Sequence, residues 1–224
     1  MNLVFLGAPG SGKGTQAAKI KDRYELAHIS TGDILRAEIA AGSELGQAAS
    51  KIMETGALVS DEIILGMMDH RLRQDDCAKG WILDGFPRTV AQAEGLEALM
   101  AGMDSDLDLG VLIQVDAEEV VKRLSSRRTC KECGAILSPA ELGEDIPEEG
   151  DCPKCEGKYF LRDDDRPETI RRRLEVFEKE TAPVIGFFRN RDKLVEIDGS
   201  QAPDTVTDAI FSILRDQFGE KQTA

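Results

Sequence analysis

Histidine is almost missing from this chain: His28 and His70 are the two present in 224 residues, and neither stands beside an evident nucleophile. That weighs against chemistry turning on a histidine base. Basic residues are short as well, 28 Lys and Arg against 42 Asp and Glu, for a net charge of −14. A field of that sign disfavours non-specific binding to nucleic acid or to an anionic membrane surface. Any anion bound here must therefore be held by a local cluster of cations. No apolar run approaches the roughly 18 residues of a membrane span. The opening MNLVFLGAPG has no basic stretch and too short an apolar run for a signal peptide, so it reads as a buried strand, and a cytoplasmic location is expected. In such a reducing compartment the five cysteines are not expected to form a disulfide framework. Cys77 stands alone and reads as a small hydrophobe.

What is present suits an ordinary soluble globule, with 41% apolar and 31% charged residues and enough chain for one well-packed domain with inserts. The runs LVFL (3–6), HIS (28–30), WILD (81–84), VLIQV (111–115) and LVEI (194–197) predict strands. Helices are expected over 13–24, 31–41, 44–55, 61–73, 117–125, 167–179, 183–190 and 204–217. Ser43 and Ser60 are expected N-caps, Gly56 follows the end of 44–55, and Pro167 sits in a first turn. Such alternation argues for an α/β chain with a mainly parallel sheet and helices on both faces. Between about 126 and 165 the periodicity fails, and the stretch is too long for an ordinary connection, so it reads as an inserted subdomain. The tail GEKQTA is expected to fray.

GAPGSGKGT (7–15) follows the first strand and opens a helix, the context a P-loop requires. Glycines let backbone N–H groups close on phosphate oxygens, and the helix N-terminus adds partial positive charge. Gly10, Ser11, Gly12, Lys13, Gly14 and Thr15 form the expected cradle, with Lys13 the point charge for the β- and γ-phosphates. Gly14 follows the lysine and Thr15 comes one position late, so direct magnesium ligation by that hydroxyl does not follow from the motif. WILDGFPRT (81–89) ends a second strand in Asp84. An acid at a strand's carboxyl end near a P-loop can hold a magnesium-bound water. A turn or capping aspartate is the plain alternative; Arg88, four residues on, favours the functional reading.

RRTCKECG (127–134) sets two arginines before Cys130-x-x-Cys133, and Cys152-x-x-Cys155 follows after 18 residues. That is the spacing of a four-thiolate zinc site. Four ligands fill the tetrahedron, so the metal would be structural. A redox role would account for one pair but not both; bare thiols or another metal are the remaining alternatives. Residues 126–165 carry six basic and eleven acidic residues and few aromatics, unlike a nucleic-acid-binding zinc module. The pattern reads better as a zinc-braced flap that carries Arg127 and Arg162, at its two ends, to a phosphate and keeps water out. The run DDD (163–165) is expected either to pair with those arginines or to form a solvated acidic turn.

GAPGSGKGT, ISTGDILR (29–36), LDGFPRT (83–89) and RPETIRRRLEVF together resemble adenylate kinase. The cysteine-bearing insert is similar to the bacterial long-lid form with structural zinc, and the resemblance runs from Met1 to about Leu214. It implies a P-loop nucleoside monophosphate kinase fold, a five-stranded parallel sheet flanked by helices. It also implies a core of residues 1–29, 60–125 and 166–224, a mobile monophosphate-binding part of residues 30–59, and a lid of residues 126–165. The implied reaction converts Mg-ATP and AMP to two ADP. By matching motif Thr31, Arg36, Arg88 and Gln92 would hold AMP, helped by Ala57, Leu58, Val59 and the Gly85, Phe86, Pro87 turn. Arg123 and Arg127 would face ATP, Arg162 and Arg173 would clamp the transferring group between both nucleotides, and Gln201 falls where the family's backbone meets the ATP adenine. Ile136 and Leu137 stand where the family commonly has a polar-aromatic pair, so backbone contacts to ATP are implied there without aromatic packing. A monomer acting on small nucleotides is expected.

The chemistry agrees with the resemblance. Transfer between phosphates needs positioning and charge more than covalent help, and an ionised acceptor needs no base. Lys13, Arg36, Arg88, Arg127, Arg162 and Arg173 supply the cations, arginine's fork suiting phosphate oxygens. Two other readings compete: a sibling kinase for UMP/CMP or with GTP as donor, and a nucleotide-hydrolysing switch. Thr31 and Gln92 favour AMP, and the sequence carries no signal of a hydrolytic water or a partner surface.

Overall fold

A computed structural model describes residues 1–143 and 145–219; the expected fraying of the tail falls, for 220–224, outside the described residues. The strands are, in chain order, β1 (Asn2–Leu6), β2 (Ala27–Ser30), β3 (Trp81–Asp84), β4 (Leu109–Gln114), the short β5 (Arg128–Cys130), β6 (Ile136–Leu137), β7 (Glu149–Asp151) and β8 (Lys158–Phe160), and β9 (Leu194–Asp198). The helices are α1 (Lys13–Tyr24), α2 (Thr31–Ala41), α3 (Glu44–Glu54), α4 (Asp61–Leu72), α5 (Val90–Ala101), α6 (Ala117–Ser126), the one-turn α7 (Pro139–Leu142), α8 (Pro167–Val176), α9 (Ala182–Arg189) and α10 (Pro203–Phe218).

Five strands pair in parallel in the order β2-β3-β1-β4-β9. The strict alternation of β1 explains why both faces are covered. Val4 and Leu6 pack with Ile29, Leu83 and Leu112 on one side, while Leu3 and Phe5 pack with Ile82, Val111 and Ile113 on the other. Strands buried on both faces read as continuous apolar runs, which is how they appeared in the sequence. The carboxyl edge of this sheet delivers the P-loop after β1, Thr31 after β2, Gly85 after β3 and Gln201 after β9. That edge is where open parallel sheets place their ligands.

Three local expectations change. Helix α5 was not anticipated: its buried face carries Gln92 beside Ala93, Leu96 and Met100, so a polar side chain interrupts the apolar stripe. Thr89 caps it, accepting from the Gln92 N–H at 3.1 Å. The helix expected over 167–179 runs as α-helix only to Val176 and widens into a π-turn over Phe177–Thr181 before α9. Pro183 has no N–H to return to the preceding turn, and the ladder loosens there. Ser43 accepts the cap bond from Gly46, whereas Ser60 precedes α4 without a side-chain cap bond.

The insert is a small antiparallel sheet in the order β6-β5-β8-β7. Its own core consists of Cys130, Leu137, Cys152 and Tyr159, two of them cysteines. A core of that size cannot stabilise a module without a staple.

Candidate active site

The P-loop is shaped by backbone before any charge is considered. Gly12 at the start of α1 has φ 101°, a conformation that a Cβ disfavours. Lys13 then folds back over the loop, its Nζ donating to the Gly7 and Ala8 carbonyls at 2.8 Å each. Burial lowers its pKa to about 8, opposed by Asp84 and reinforced by Arg88, Arg173 and Arg127. Thr15 lies exposed at the mouth of the cleft. Gly14 has a reason the motif did not show: a Cβ there would lie 3.1 Å from Asp84 Oδ2. The residue after the lysine is small because the strand-end carboxylate comes up against it. His28 Nε2 is buried 3.7 Å from the same oxygen.

Gly85 organises the opposite wall. Its φ of 77° turns its carbonyl toward Thr31 Oγ1, which donates at 2.8 Å, and Arg88 Nε, which donates at 2.7 Å. A Cβ at Gly85 would meet Arg88 at 2.9 Å. Arg88 is thus held by its own loop with most of its fork free, and burial lowers its pKa. Arg36 pairs with Asp33; burial and the nearby Arg162 lower its pKa. Ala57, Leu58 and Pro87 line the cleft, and Val59 a small adjoining pocket. Phe86 turns into the core, 1% exposed, so its place in the motif is to fix the turn. Gln92 lines the small pocket with both ends of its amide already engaged, accepting from the Arg88 N–H at 2.7 Å and donating to Asp61 at 2.8 Å.

The arginines at the two ends of the insert, and Arg173 of α8, are held by the acidic run. Arg127 grips Asp165 with two bonds of 2.8 and 2.6 Å, and Arg162 binds Asp164 at 2.8 Å. Arg173 donates to Asp165 at 3.0 Å and to the Asp164 carbonyl at 2.8 Å. The Asp165 side chain is 0% exposed, so the solvated-turn alternative fails for it. Burial works against an ionised Asp164, but the Arg162 hydrogen bond and the charges of Arg162, Arg173 and Arg127 hold it well below the usual carboxylate range. Burial lowers Arg173 to about 10. Arg123 is braced by Glu119 at 2.9 Å and the Gly199 carbonyl at 3.0 Å. Arg128, next to Arg127 in the motif, donates instead to the carbonyls of Ser125, Arg127, Ile146 and Pro147, stapling the base of the insert. Ile136 is 46% exposed and Leu137 buried, both on the cleft wall; Gln201 lies across from them with its amide donating to Asp198 at 2.8 Å.

The four paired cysteines converge, their sulfurs within 4.8 Å of one another, the nearest pairs at 3.5 and 3.9 Å. A zinc tetrahedron with bonds of about 2.3 Å has edges of about 3.8 Å, so the set fits one ion. Backbone N–H groups of Lys154 and Gly157 donate to Cys152 and Cys155 at 3.4 Å, the bonds that favour thiolates. Backbone donors from Cys133 and Glu132 pull Cys130 down to about 6, against the cost of burial, whereas Cys155, lowered by the Gly157 N–H, is pushed up to about 12 by the neighbouring sulfurs with which it shares a proton.

These parts surround one cleft of about 1280 Å³, lined by Lys13, Arg36, Arg88, Arg127, Arg162 and Arg173 among others. All six cations expected from the sequence are therefore brought together in a protein of net charge −14. Asp61 and Asp33 are the partners that sequence reasoning missed; Asp33 lies within ISTGDILR, which by itself gives it no role, and Asp61 lies outside the motifs. No helix among the described residues is long and apolar enough to cross a membrane.

Comparison with known proteins agrees with this geometry. The family profile described as adenylate kinase matches residues 5–193. The adenylate kinase of Thermodesulfovibrio yellowstonii is 47% identical over 218 residues, covering 96% of this chain and 99% of the relative. That of Archaeoglobus fulgidus is 44% identical over 218 residues, covering 96% and 98%. That of Fervidobacterium nodosum is 43% identical over 214 residues, covering 96% and 97%.

Proposed function

The chain belongs to the adenylate kinase family and is an ATP:AMP phosphotransferase, and from that premise we propose how its residues divide the work. The convergence of six cations on one cleft carries the reading. ATP would lie with its β- and γ-phosphates in the loop Gly10–Thr15, on Lys13, with Arg123 and Arg127 against the triphosphate and the backbone at Ile136, Leu137 and Gln201 beside the base. AMP would lie with its phosphate on Arg36 and Arg88 and its base in the small pocket near Thr31, Val59 and Gln92. Arg162 and Arg173 would span the gap and balance charge on the phosphoryl group as it moves. No residue need take a proton, because the attacking oxygen is already ionised.

Magnesium arriving with ATP would be held through water by Asp84, where it neutralises phosphate charge. The cysteine cluster would hold structural zinc, which joins β5 to the Cys152–Cys155 turn. In this division residues 126–165 act as the lid, residues 30–59 as the acceptor-binding part, and the rest as the core. With Asp164 and Asp165 holding three lid-side arginines, the clamp stays assembled before phosphates replace the carboxylates. Composition and family support a monomer working on small nucleotides in the cytoplasm.

The assay is ADP formation from Mg-ATP with AMP, CMP, UMP, GMP or dTMP, and with no acceptor, for wild type and single-site variants. AMP alone should support turnover. Arg36→Ala should raise KM for AMP at least tenfold with KM for ATP unchanged, and Arg123→Ala the reverse. Equal changes in both constants for either variant would overturn the division of the cleft.

A further inference from the structure

Asp61, the first residue of α4, lies outside the large cleft, yet it fixes which way the Gln92 amide points. A carboxylate can only accept a hydrogen bond and a backbone N–H can only donate one. Asp61 Oδ1 receives the Gln92 Nε2 hydrogen at 2.8 Å, and the Arg88 N–H donates to Gln92 Oε1 at 2.7 Å. Asp61 is itself steadied by Thr89 Oγ1, which donates to its other oxygen at 3.1 Å. Gln92 is 2% exposed and lines the small pocket with Leu35, Leu58, Val59 and Ile64, apolar walls suited to a planar base.

An amide has two N–H donors and two acceptor sites, and the two bonds above use one of each. One donor and one acceptor remain, in an order set by the orientation of the amide. Adenine offers a ring-nitrogen acceptor beside the N6 amino donor. A 6-oxopurine offers the reverse, an N1–H donor beside the O6 acceptor. A glutamine free to turn over would match either base; one held in place matches one order only.

We propose that Asp61 is a positioning residue that locks Gln92 in one amide orientation and thereby makes the acceptor pocket select adenine over 6-oxopurines. The inference rests on the assignment of the small pocket to the acceptor base. Asn at position 61 could donate or accept and would release one of the two constraints. The Arg88 N–H would keep the other, so selection should weaken without vanishing.

The test is steady-state turnover with AMP and with IMP, which reverses the donor and acceptor order without adding an amino group. It compares wild type, Asp61→Asn and Gln92→Leu, with melting curves for each. Asp61→Asn should lower the AMP/IMP ratio of kcat/KM by about tenfold while leaving KM for ATP unchanged, since a charged, accept-only partner worth about that much is replaced by a neutral amide that serves either orientation. A purely structural tie between α4 and α5 would lower both acceptors in parallel and leave the ratio within twofold; that result overturns the proposal. Asp61→Ser, whose hydroxyl also fits either orientation, serves if the Asn variant melts too early. Gln92→Leu separates the two claims. Unimpaired AMP turnover in it would remove the pocket assignment and the lock together. Impaired turnover there with an unchanged ratio in Asp61→Asn would remove the lock alone.

Discussion

The sheet edge and the lid both set cations beside the same cleft, but by different means. Lys13 and Arg88 are held by carbonyls of their own loops, which leave strands buried on both faces of a five-stranded sheet. Arg127 and Arg162 flank a small module with four buried core residues and are held by carboxylates at its C-terminal end. The first half is preformed by backbone; the second is assembled from ion pairs and a cluster of thiols. A rigid side and a less deeply packed side of one site can be built this way, since local stability follows local burial.

The comparison can be broken or sharpened by substitution. Lys13→Met should cut kcat about a thousandfold, in the range of losing a cation at a transferring phosphoryl group, with little change in melting temperature. A large loss of stability would mean that the cradle is not preformed. Asp165→Asn should do the opposite. It removes the buried partner of Arg127 and Arg173, which costs about 3 kcal/mol, or a melting temperature lower by several degrees. A wild-type melt in that variant would show that the lid side does not depend on its carboxylates. Chelation of the metal should lower the melting temperature before it touches phosphoryl transfer, because four ligands leave no position for chemistry. An unchanged melt after verified metal loss would leave the thiols without a structural role.

A smaller effect concerns pH. Free Lys13 sits lowered to about 8, and phosphates beside it favour the charged form. Nucleotide binding should therefore take up a proton above about pH 8, and ATP affinity should weaken by up to about tenfold per pH unit from there toward the ordinary lysine pKa. Calorimetry in two buffers of different ionisation enthalpy reads the proton directly; no uptake at pH 9 would contradict the burial of this amine. The smallest change is expected for Ile136→Ala, which should move KM for ATP less than twofold, since the contact assigned there is backbone.

Much of this was legible in the chain. The P-loop, the strand-end Asp84, the arginines and the cysteine pairs are short patterns whose spacing carries their chemistry, and the strands announced themselves as apolar runs. What stayed hidden depends on contacts across long separations. Gln92 is legible in its motif as a residue for the acceptor, but the direction of its amide is set only when α4 packs against α5 and Asp61 closes on it. Gly14 looks like a defect in the motif until Asp84 is seen against it. Arg127 and Arg128 are adjacent and chemically alike, yet Arg127, at the end of α6, turns to the cleft and Asp165 while Arg128, opening β5, turns to the carbonyls of Ile146 and Pro147.

The paired carboxylates of Asp164 and Asp165 amount to a resident counter-ion. An incoming anion does not meet bare guanidinium groups; it meets two negative charges already seated among three arginines. Chloride brings one charge and no directed oxygen fork, so it has little to offer in exchange. A polyphosphate brings several charges in rows that match the forks. The acidic pair therefore offsets the arginine charge until nucleotide arrives, and ion pairs this buried should be screened little by monovalent salt.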